Sequence, residues 1–210
     1  MTEINDQVSF WRGAFGNDYA DRNDASTEVL ASRVAMWRRI LDPLGEPPRS
    51  ILEVGANIGL NMRALASFAD ADLHAVEPGN KAREILSACG ALPPEHVVDG
   101  TAAALPFDDA SIDMAFTSGV LIHIAPDDLP AACREMHRVS SRYIVCAEYF
   151  NPVPVEIDYR GHTGFLWKRD FGSFWLDNFS DLELVDYGFF WKRATGLDDL
   201  TWWLFRKKNS

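Results

Sequence analysis

The sequence predicts an α/β fold: a mostly parallel sheet with helices on both faces, preceded by a helical cap and closed by a C-terminal antiparallel hairpin. Three observations carry this. From residue 49 onward, short apolar runs alternate with helix-length segments, the pattern of parallel strands joined by right-handed helical crossovers. The first apolar run ends in a turn holding Gly55 and Gly59 that opens a helix. The last two runs are aromatic and β-prone with a short connection, which reads as an antiparallel pair.

Residues 1–48 read as helical and amphipathic. Val29, Val34, Trp37, Ile40 and Leu41 recur near helical spacing, until Asp42-Pro43-Leu44-Gly45-Glu46-Pro47-Pro48 breaks the helix. Strands are expected over 50–54, 73–76, 96–99, 112–117 and 142–147, and helices over 60–68, 81–89 and 128–139. Residues 150–178 are polar and irregular, rich in glycine and aromatics. They lie beyond the carboxyl ends of the strands, where substrate-facing insertions belong. The hairpin pairs 182–191 with 200–205 across 192–199, which brings the sheet to seven strands. The chain divides as one domain over 1–210: cap 1–48, core 49–149, insertion 150–180 and hairpin 181–210.

Composition narrows the function classes. The 210 residues, 47% hydrophobic and 24% charged, suit one globular domain that buries its own core. With 20 basic and 31 acidic residues the net charge is -11, which argues against a nucleic-acid backbone as the main partner. Cys89, Cys133 and Cys146 are widely spaced without a CxxC pair, so neither a disulfide framework nor a zinc site is expected. No Asp/Glu/His cluster has convincing ligand spacing, so no metal is expected. The start MTEINDQVSF lacks a basic region followed by an apolar run, and no apolar stretch reaches transmembrane length. A cytoplasmic setting, no membrane partner, and a monomer or homodimer are expected.

Glu53-Val54-Gly55-Ala56-Asn57-Ile58-Gly59 lies between the first strand and its helix. Glycine there permits a tight turn and the close approach of a ligand. A dinucleotide motif GxGxxG would need glycine at Asn57 and Leu60, so it fails twice. The pattern resembles instead the first motif of class I methyltransferases, [DE]-x-G-x-G-x-G. Asn57 replaces the middle glycine and accepts the same left-handed backbone. Glu77, followed by Pro78, ends the second strand 22 residues after Gly55, placed to accept from both ribose hydroxyls.

Two further segments extend the resemblance. Asp99-Gly100-Thr101-Ala102-Ala103-Ala104-Leu105-Pro106-Phe107 is similar to the family's third-strand motif G-D-A-x-x-L-P-F, whose first residues line the adenine. Gly100 and Ala102 match. Thr101 stands where aspartate is usual, leaving the adenine amino group to a backbone contact or to Asp99. Phe116-Thr117-Ser118-Gly119-Val120-Leu121-Ile122-His123-Ile124 is similar to the segment lining the methionine end, with backbone groups offered by Ser118, Gly119 and Val120. The four motifs cover nearly half the chain. The resemblance implies a Rossmann-like class I methyltransferase fold and S-adenosylmethionine as cofactor, with S-adenosylhomocysteine as product. Its implied cofactor residues include Glu53, Gly55, Asn57, Gly59, Glu77, Pro78, Gly100, Thr101, Ala102 and His123.

The ends carry a narrower resemblance. Phe10-Trp11-Arg12-Gly13-Ala14-Phe15-Gly16-Asn17-Asp18-Tyr19-Ala20-Asp21-Arg22-Asn23, Tyr159-Arg160-Gly161-His162-Thr163-Gly164-Phe165-Leu166-Trp167-Lys168-Arg169-Asp170-Phe171 and the ending Asp198-Asp199-Leu200-Thr201-Trp202-Trp203 resemble the pseudaminic acid biosynthesis-associated methylases. That name implies a sugar or sugar-nucleotide context. Tyr19 and Arg22, one helical turn apart, share a face. Arg22 suits a forked hold on the cofactor carboxylate with Tyr19 beside it; the alternative is an exposed helix face. Trp11 and Phe15 are expected to pack the cap on the domain.

In the second segment Tyr159, Arg160, His162 and Lys168 form a polar loop suited to an acceptor. Arg160 and Lys168 fit an anionic one such as a carboxylate or phosphate, against the alternative of a loop organised by its own hydrogen bonds. Glu148, just past the fifth strand, is expected on the substrate side. His123 and His162 are the candidate bases, since imidazole titrates near neutrality. Alignment of an activated methyl donor can also suffice without a base.

The leading expectation is methyl transfer to an oxygen or nitrogen of a small polar, sugar-derived metabolite. The alternatives are a protein or peptide methyltransferase, a catalytically silent binder of S-adenosylmethionine or S-adenosylhomocysteine, and, against the missing glycines, a nicotinamide-dependent reductase.

Overall fold

The computed structural model describes residues 6–208. Residues 1–5 of the stretch read for a targeting signal, and 209–210 of the hairpin segment, lie outside the described residues. The cap is three helices, α1 (Asp6–Arg12), α2 (Ala14–Arg22) and α3 (Thr27–Leu41). The core follows as β1 (Ser50–Val54), α4 (Leu60–Ala66), β2 (Asp72–Val76), α5 (Asn80–Ala88), β3 (Val97–Val98), β4 (Ile112–Ser118), α6 (Leu129–Val139) and β5 (Ser140–Glu148). The expected strand over 96–99 shrinks to two residues because Pro94–His96 takes a 3₁₀ turn, which the adjacent prolines Pro93 and Pro94 favour.

The insertion is more ordered than its composition suggests. It holds a two-stranded antiparallel ribbon, β6 (Val155–Glu156) with β7 (Trp167–Lys168), and the helix α7 (Phe171–Asn178). The Asp170 carboxylate caps α7, accepting from the Ser173 amide at 2.9 Å and the Ser173 hydroxyl at 2.7 Å. The chain ends in β8 (Leu182–Phe190), a four-residue helix α8 (Lys192–Thr195) inside the predicted connection, and β9 (Leu200–Lys207).

Seven strands form one sheet in the order β3-β2-β1-β4-β5-β9-β8. β1 to β5 pair in parallel, and β9 runs antiparallel between β5 and β8. The order reverses between β1 and β4, the switch point where open α/β sheets bind ligands at the strands' carboxyl ends.

Two cores flank the sheet. On one face Met36, Trp37 and Ile40 of α3 and Met62 and Leu65 of α4 pack on Ile51, Phe116, Trp202 and Leu204. On the other, Leu129, Cys133, Met136 and Val139 of α6, at i, i+4, i+7 and i+10, join Phe171 and Trp175 of α7 over Leu52, Ile144 and Phe205. The three cysteines are free, with Cys133 and Cys146 buried. Among the described residues no helix is long and apolar enough to cross a membrane.

Gly172 of α7 is where the helix meets the sheet most closely: a Cβ there would lie 2.2 Å from Nε1 of the Trp203 indole. Alanine would gain about 1 kcal/mol of helix propensity, but the rigid ring can move only by repacking the core, which costs about 1–3 kcal/mol. Gly172→Ala is therefore expected to lower the urea midpoint at unchanged m-value; an unchanged or raised midpoint would show that α7 is free to shift.

Candidate functional site

A cavity of about 350 Å³ opens at the carboxyl ends of β1, β2 and β4. Its floor is the turn after β1. Gly55 and Asn57 adopt left-handed backbone, with φ of 79° and 48°, as the sequence pattern requires. A Cβ on Gly55 would meet the Val120 side chain at 2.7 Å, so the missing side chain keeps the turn against the segment after β4. Gly59, also left-handed, starts α4 beside Leu86 and does not line the cavity.

Glu77 is 7% exposed and lines the cavity at the end of β2. Its Oε2 accepts from the Asn57 amide and its Oε1 from the Gly79 amide, each at 2.7 Å. Each carboxylate oxygen keeps a second lone pair for a ligand hydroxyl. Burial raises its pKa, opposed by the two amide bonds and by Arg83 and Arg12.

Pro78, Gly100, Thr101 and Ala102 form one end of the cavity, and Ser118, Gly119, Val120, His123 and Tyr19 the other. Asp99 does not face the cavity: Arg12 at 2.8 Å and Arg83 at 3.0 Å hold its carboxylate. Gln7, Trp11 and Arg12 of α1 also line the cavity, a contribution the sequence reading missed. Trp11 therefore lines the cavity as well as packing the cap. No local motif announces a lid whose partners lie some 90 residues away.

Glu53 is 2% exposed and lies beneath the cavity, accepting from Asn61 Nδ2 at 2.6 Å. Its Oε2 has no hydrogen-bond partner, and burial pushes its pKa up to about 8. Asn61 Oδ1 in turn receives Arg33 at 2.7 Å and the Trp37 indole N–H at 3.2 Å. Glu53 thus ties α4 and α3 to β1 and does not line the cavity.

Glu148 corrects a sequence expectation. It is 0% exposed and its carboxylate accepts the amides of Val120, Leu121 and Ile122 at 3.2, 3.1 and 3.4 Å. It braces the segment after β4 and does not face substrate; burial pushes its pKa up to about 7.

His123 sits at the cavity wall. Its Nδ1 lies 2.6 Å from the Phe165 carbonyl oxygen. A carbonyl only accepts, so Nδ1 carries the proton and Nε2 offers the lone pair. Burial pushes its pKa down to about 4, so the ring is neutral at pH 7. Trp11 and Tyr159 flank it, with ring centroids at 4.9 and 4.8 Å.

The remaining expected residues do not line the cavity. Tyr159 and His162 close a tight turn with reciprocal backbone bonds of 2.8 and 3.0 Å, through left-handed Arg160 and Gly161. His162 is exposed and packs edge-on to Phe10 at 5.1 Å. Lys168 lies over the Tyr149 ring at 5.3 Å. Arg22 is exposed, over Phe15 and Tyr19 at 5.4 and 5.6 Å.

The expectation of no metal-ligand spacing meets one exception among the described residues: Asp72, His74 and His96 bring ligand atoms within 4.8 Å of one another. They lie at the amino end of β2, away from the cavity. Contacts of 3.0 Å for Asp72 with His74, and 3.1 Å for His96 with the Leu73 carbonyl, account for these groups as hydrogen bonds.

Buried carboxylates with raised pKa stabilise the fold below their ordinary value of about 4.5 and lose that contribution as pH rises through the folded value. For Glu53 the window is pH 4.5 to about 8. Glu53→Gln is expected to match the wild type in denaturant midpoint at pH 4.5 and to exceed it increasingly towards pH 8.5. A constant offset across that range would show that Glu53 is not the group losing its proton.

Residues 52–142 match a family model described as a methyltransferase domain. No curated protein matches the chain. Among solved structures, the 1,6-didemethyltoxoflavin-N1-methyltransferase of Burkholderia thailandensis is similar at 17% identity and a TM-score of 0.71, covering 100% of this chain and 92% of that one. The magnesium protoporphyrin IX methyltransferase of Synechocystis PCC 6803 is similar at 14% identity and a TM-score of 0.69, covering 96% and 98%. The first was crystallised with 1,6-didemethyltoxoflavin and S-adenosylhomocysteine, the second with S-adenosylhomocysteine. In all 945 solved chains match, so the fold alone does not choose an acceptor. The chain has the Rossmann-like class I methyltransferase fold, and residues 52–142 within it match a methyltransferase domain.

Proposed function

We propose that this protein is a methyltransferase that binds S-adenosylmethionine in the cavity beside Glu77 and methylates an oxygen or nitrogen of a small polar, sugar-derived metabolite. Bound there, the cofactor supplies a methyl group on a sulfonium; the acceptor lone pair forms the new bond while the old C–S pair returns to sulfur. The cavity fits that molecule. Bare Gly55 leaves room at the turn, and the free lone pairs of Glu77 suit ribose hydroxyls. The Gly100–Ala102 end takes the adenine, and Ser118, Gly119, Val120 and Tyr19 surround the methionine end.

The observation that carries a small acceptor is the roof. Gln7 Nε2 donates to the Gly164 carbonyl at 3.3 Å, and Phe10 stacks on Phe165 at 4.1 Å. The cap and the insertion thus meet over the site, leaving a chamber where a polypeptide would need a groove. The sugar context rests on the resemblance of both ends to the pseudaminic acid-associated clade.

His123 presents the neutral Nε2 lone pair beside Tyr159. It orients the acceptor and, where that acceptor is an oxygen, takes the proton of the strongly acidic oxonium that methylation forms. Tyr159, Arg160, His162 and Lys168 bound the acceptor side.

Calorimetric titration with S-adenosylmethionine, S-adenosylhomocysteine and NADH tests the cofactor. Micromolar binding of the first two and none of NADH is expected; no binding of either sulfur compound by folded protein refutes the reading. Glu77→Ala is expected to weaken S-adenosylhomocysteine by about 1–3 kcal/mol, and an unchanged affinity removes Glu77 from the ribose site. His123→Asn is expected to cut kcat roughly 10²-fold with cofactor affinity kept. Because His123 stays neutral, kcat of the wild type should be flat from pH 5.5 to 8. A fall below pH 6.5 would remove His123 from the proton transfer.

A further inference from the structure

β8 is the outermost strand of the sheet, and among the described residues it pairs with β9 alone. Its far edge therefore has no strand partner. Edge strands are ordinarily kept solitary by lysine, proline or short length. β8 runs for nine residues and contains neither lysine nor proline. Its two charged side chains do not guard the edge either: Glu183 pairs with Arg206 of β9, and Asp186 with Arg39 of α3.

One face of β8 is covered and the other is bare. Val185 and Phe190 pack into the core beneath α3. Leu184, Tyr187 and Phe189 stand opposite Phe205, Trp203 and Thr201 of β9, and opposed residues of an antiparallel pair share a face. The register shift between Leu184 and Asp186 keeps Leu184 and Tyr187 on one side. That side is the one α6 and α7 cover further in, over Phe205 and Trp203. Half of the exposed large hydrophobic side chains among the described residues fall here, namely Leu184, Tyr187, Phe189 and Trp191, and the three aromatic ones are more than half exposed. Exposed Phe150 widens the patch, its ring 6.3 Å from that of Trp203. Single exposed apolar groups are ordinary, whereas a row of them along a free edge is an interaction surface.

Two observations make the occupant a second copy of this chain. The first is charge. The chain carries a net charge of -11, so two copies repel unless they meet where that charge is locally cancelled. Residues 182–193 are such a place: Glu183 and Asp186 lie in the first half, Lys192 and Arg193 at the end. An antiparallel copy sets each acidic half against the other's basic end, whereas a parallel copy would set acid on acid. Lys192 is held by Asp198 at 3.0 Å, and Arg193 lies over the Trp191 ring at 5.8 Å, so Arg193 is the cation placed to reach across. The second is area. Rings of about 150–250 Å² each, together with the length of the strand edge, reach the order of the ~800 Å² per partner that a stable dimer buries.

We propose that the chain forms a two-fold symmetric dimer in which β8 pairs antiparallel with β8 of a second copy, continuing the seven-stranded sheet across the axis. The free backbone groups of the two edges bond each other, and the Tyr187 and Phe189 rows become cross-strand neighbours.

Sedimentation velocity of the whole chain over about 1–200 μM tests this, and a monomer–dimer equilibrium with a micromolar dissociation constant is expected. Tyr187→Lys and Phe189→Lys, both at exposed positions, are each expected to weaken the dimer about tenfold while the urea midpoint of the monomer is unchanged. Arg193→Glu is expected to weaken it about fivefold at low salt, with the loss shrinking as sodium chloride is raised. A chain still monomeric at about 200 μM overturns the proposal and leaves the face to a different protein. A dimer untouched by both lysine variants overturns it as well, since the contact then lies elsewhere. Dissociation by the lysine variants with Arg193→Glu at wild-type affinity overturns the antiparallel direction.

Discussion

The Glu77 carboxylate is the constraint on which the cavity depends. Its two oxygens take one amide from the turn after β1 and one from the turn after β2. Those turns are brought side by side by the parallel pairing of β1 with β2, from Ser50 with Asp72 to Val54 with Val76. Without that register the amides of Asn57 and Gly79 would have no common acceptor. With it, a buried charge is held by oriented backbone donors, which offset its desolvation. The same group is thereby both a brace of the two turns and a wall of the cavity.

A second carboxylate does for the other side what Glu77 does for the first. Glu148 gathers three successive amides after β4 and so fixes the segment whose next residue is His123. The position of that imidazole follows from two constraints: Glu148 sets the backbone from inside the sheet, and the Phe165 carbonyl sets the ring from the insertion. Core and insertion meet at one nitrogen, so the two are not independent parts.

What the sequence made legible was local. The Gly55, Asn57 and Gly59 turn and Glu77 could be read because each motif is a short run whose backbone needs are written in its own residues, and spacing supplied the rest. The strand and helix order was legible for the same reason, through period and breakers. Glu148 was misplaced because nothing near it in sequence says that its partners lie 26 to 28 residues earlier. The ribbon of β6 and β7 was read as irregular because two-residue strands fall below the length at which alternation can be seen.

The roof over the cavity is built unequally. The insertion is anchored by α7, whose Phe171 and Trp175 are wholly buried, whereas α1 buries none of its residues. Opening therefore costs least on the α1 side, whose Phe10 and Trp11 make their ring contacts without being fully buried. A molecule filling the cavity touches Gln7, Trp11 and Arg12 and replaces the contacts that this helix lacks. Occupancy and the order of the first helix are then two expressions of one free energy, and the N-terminal segment becomes part of the binding equilibrium as well as part of the fold.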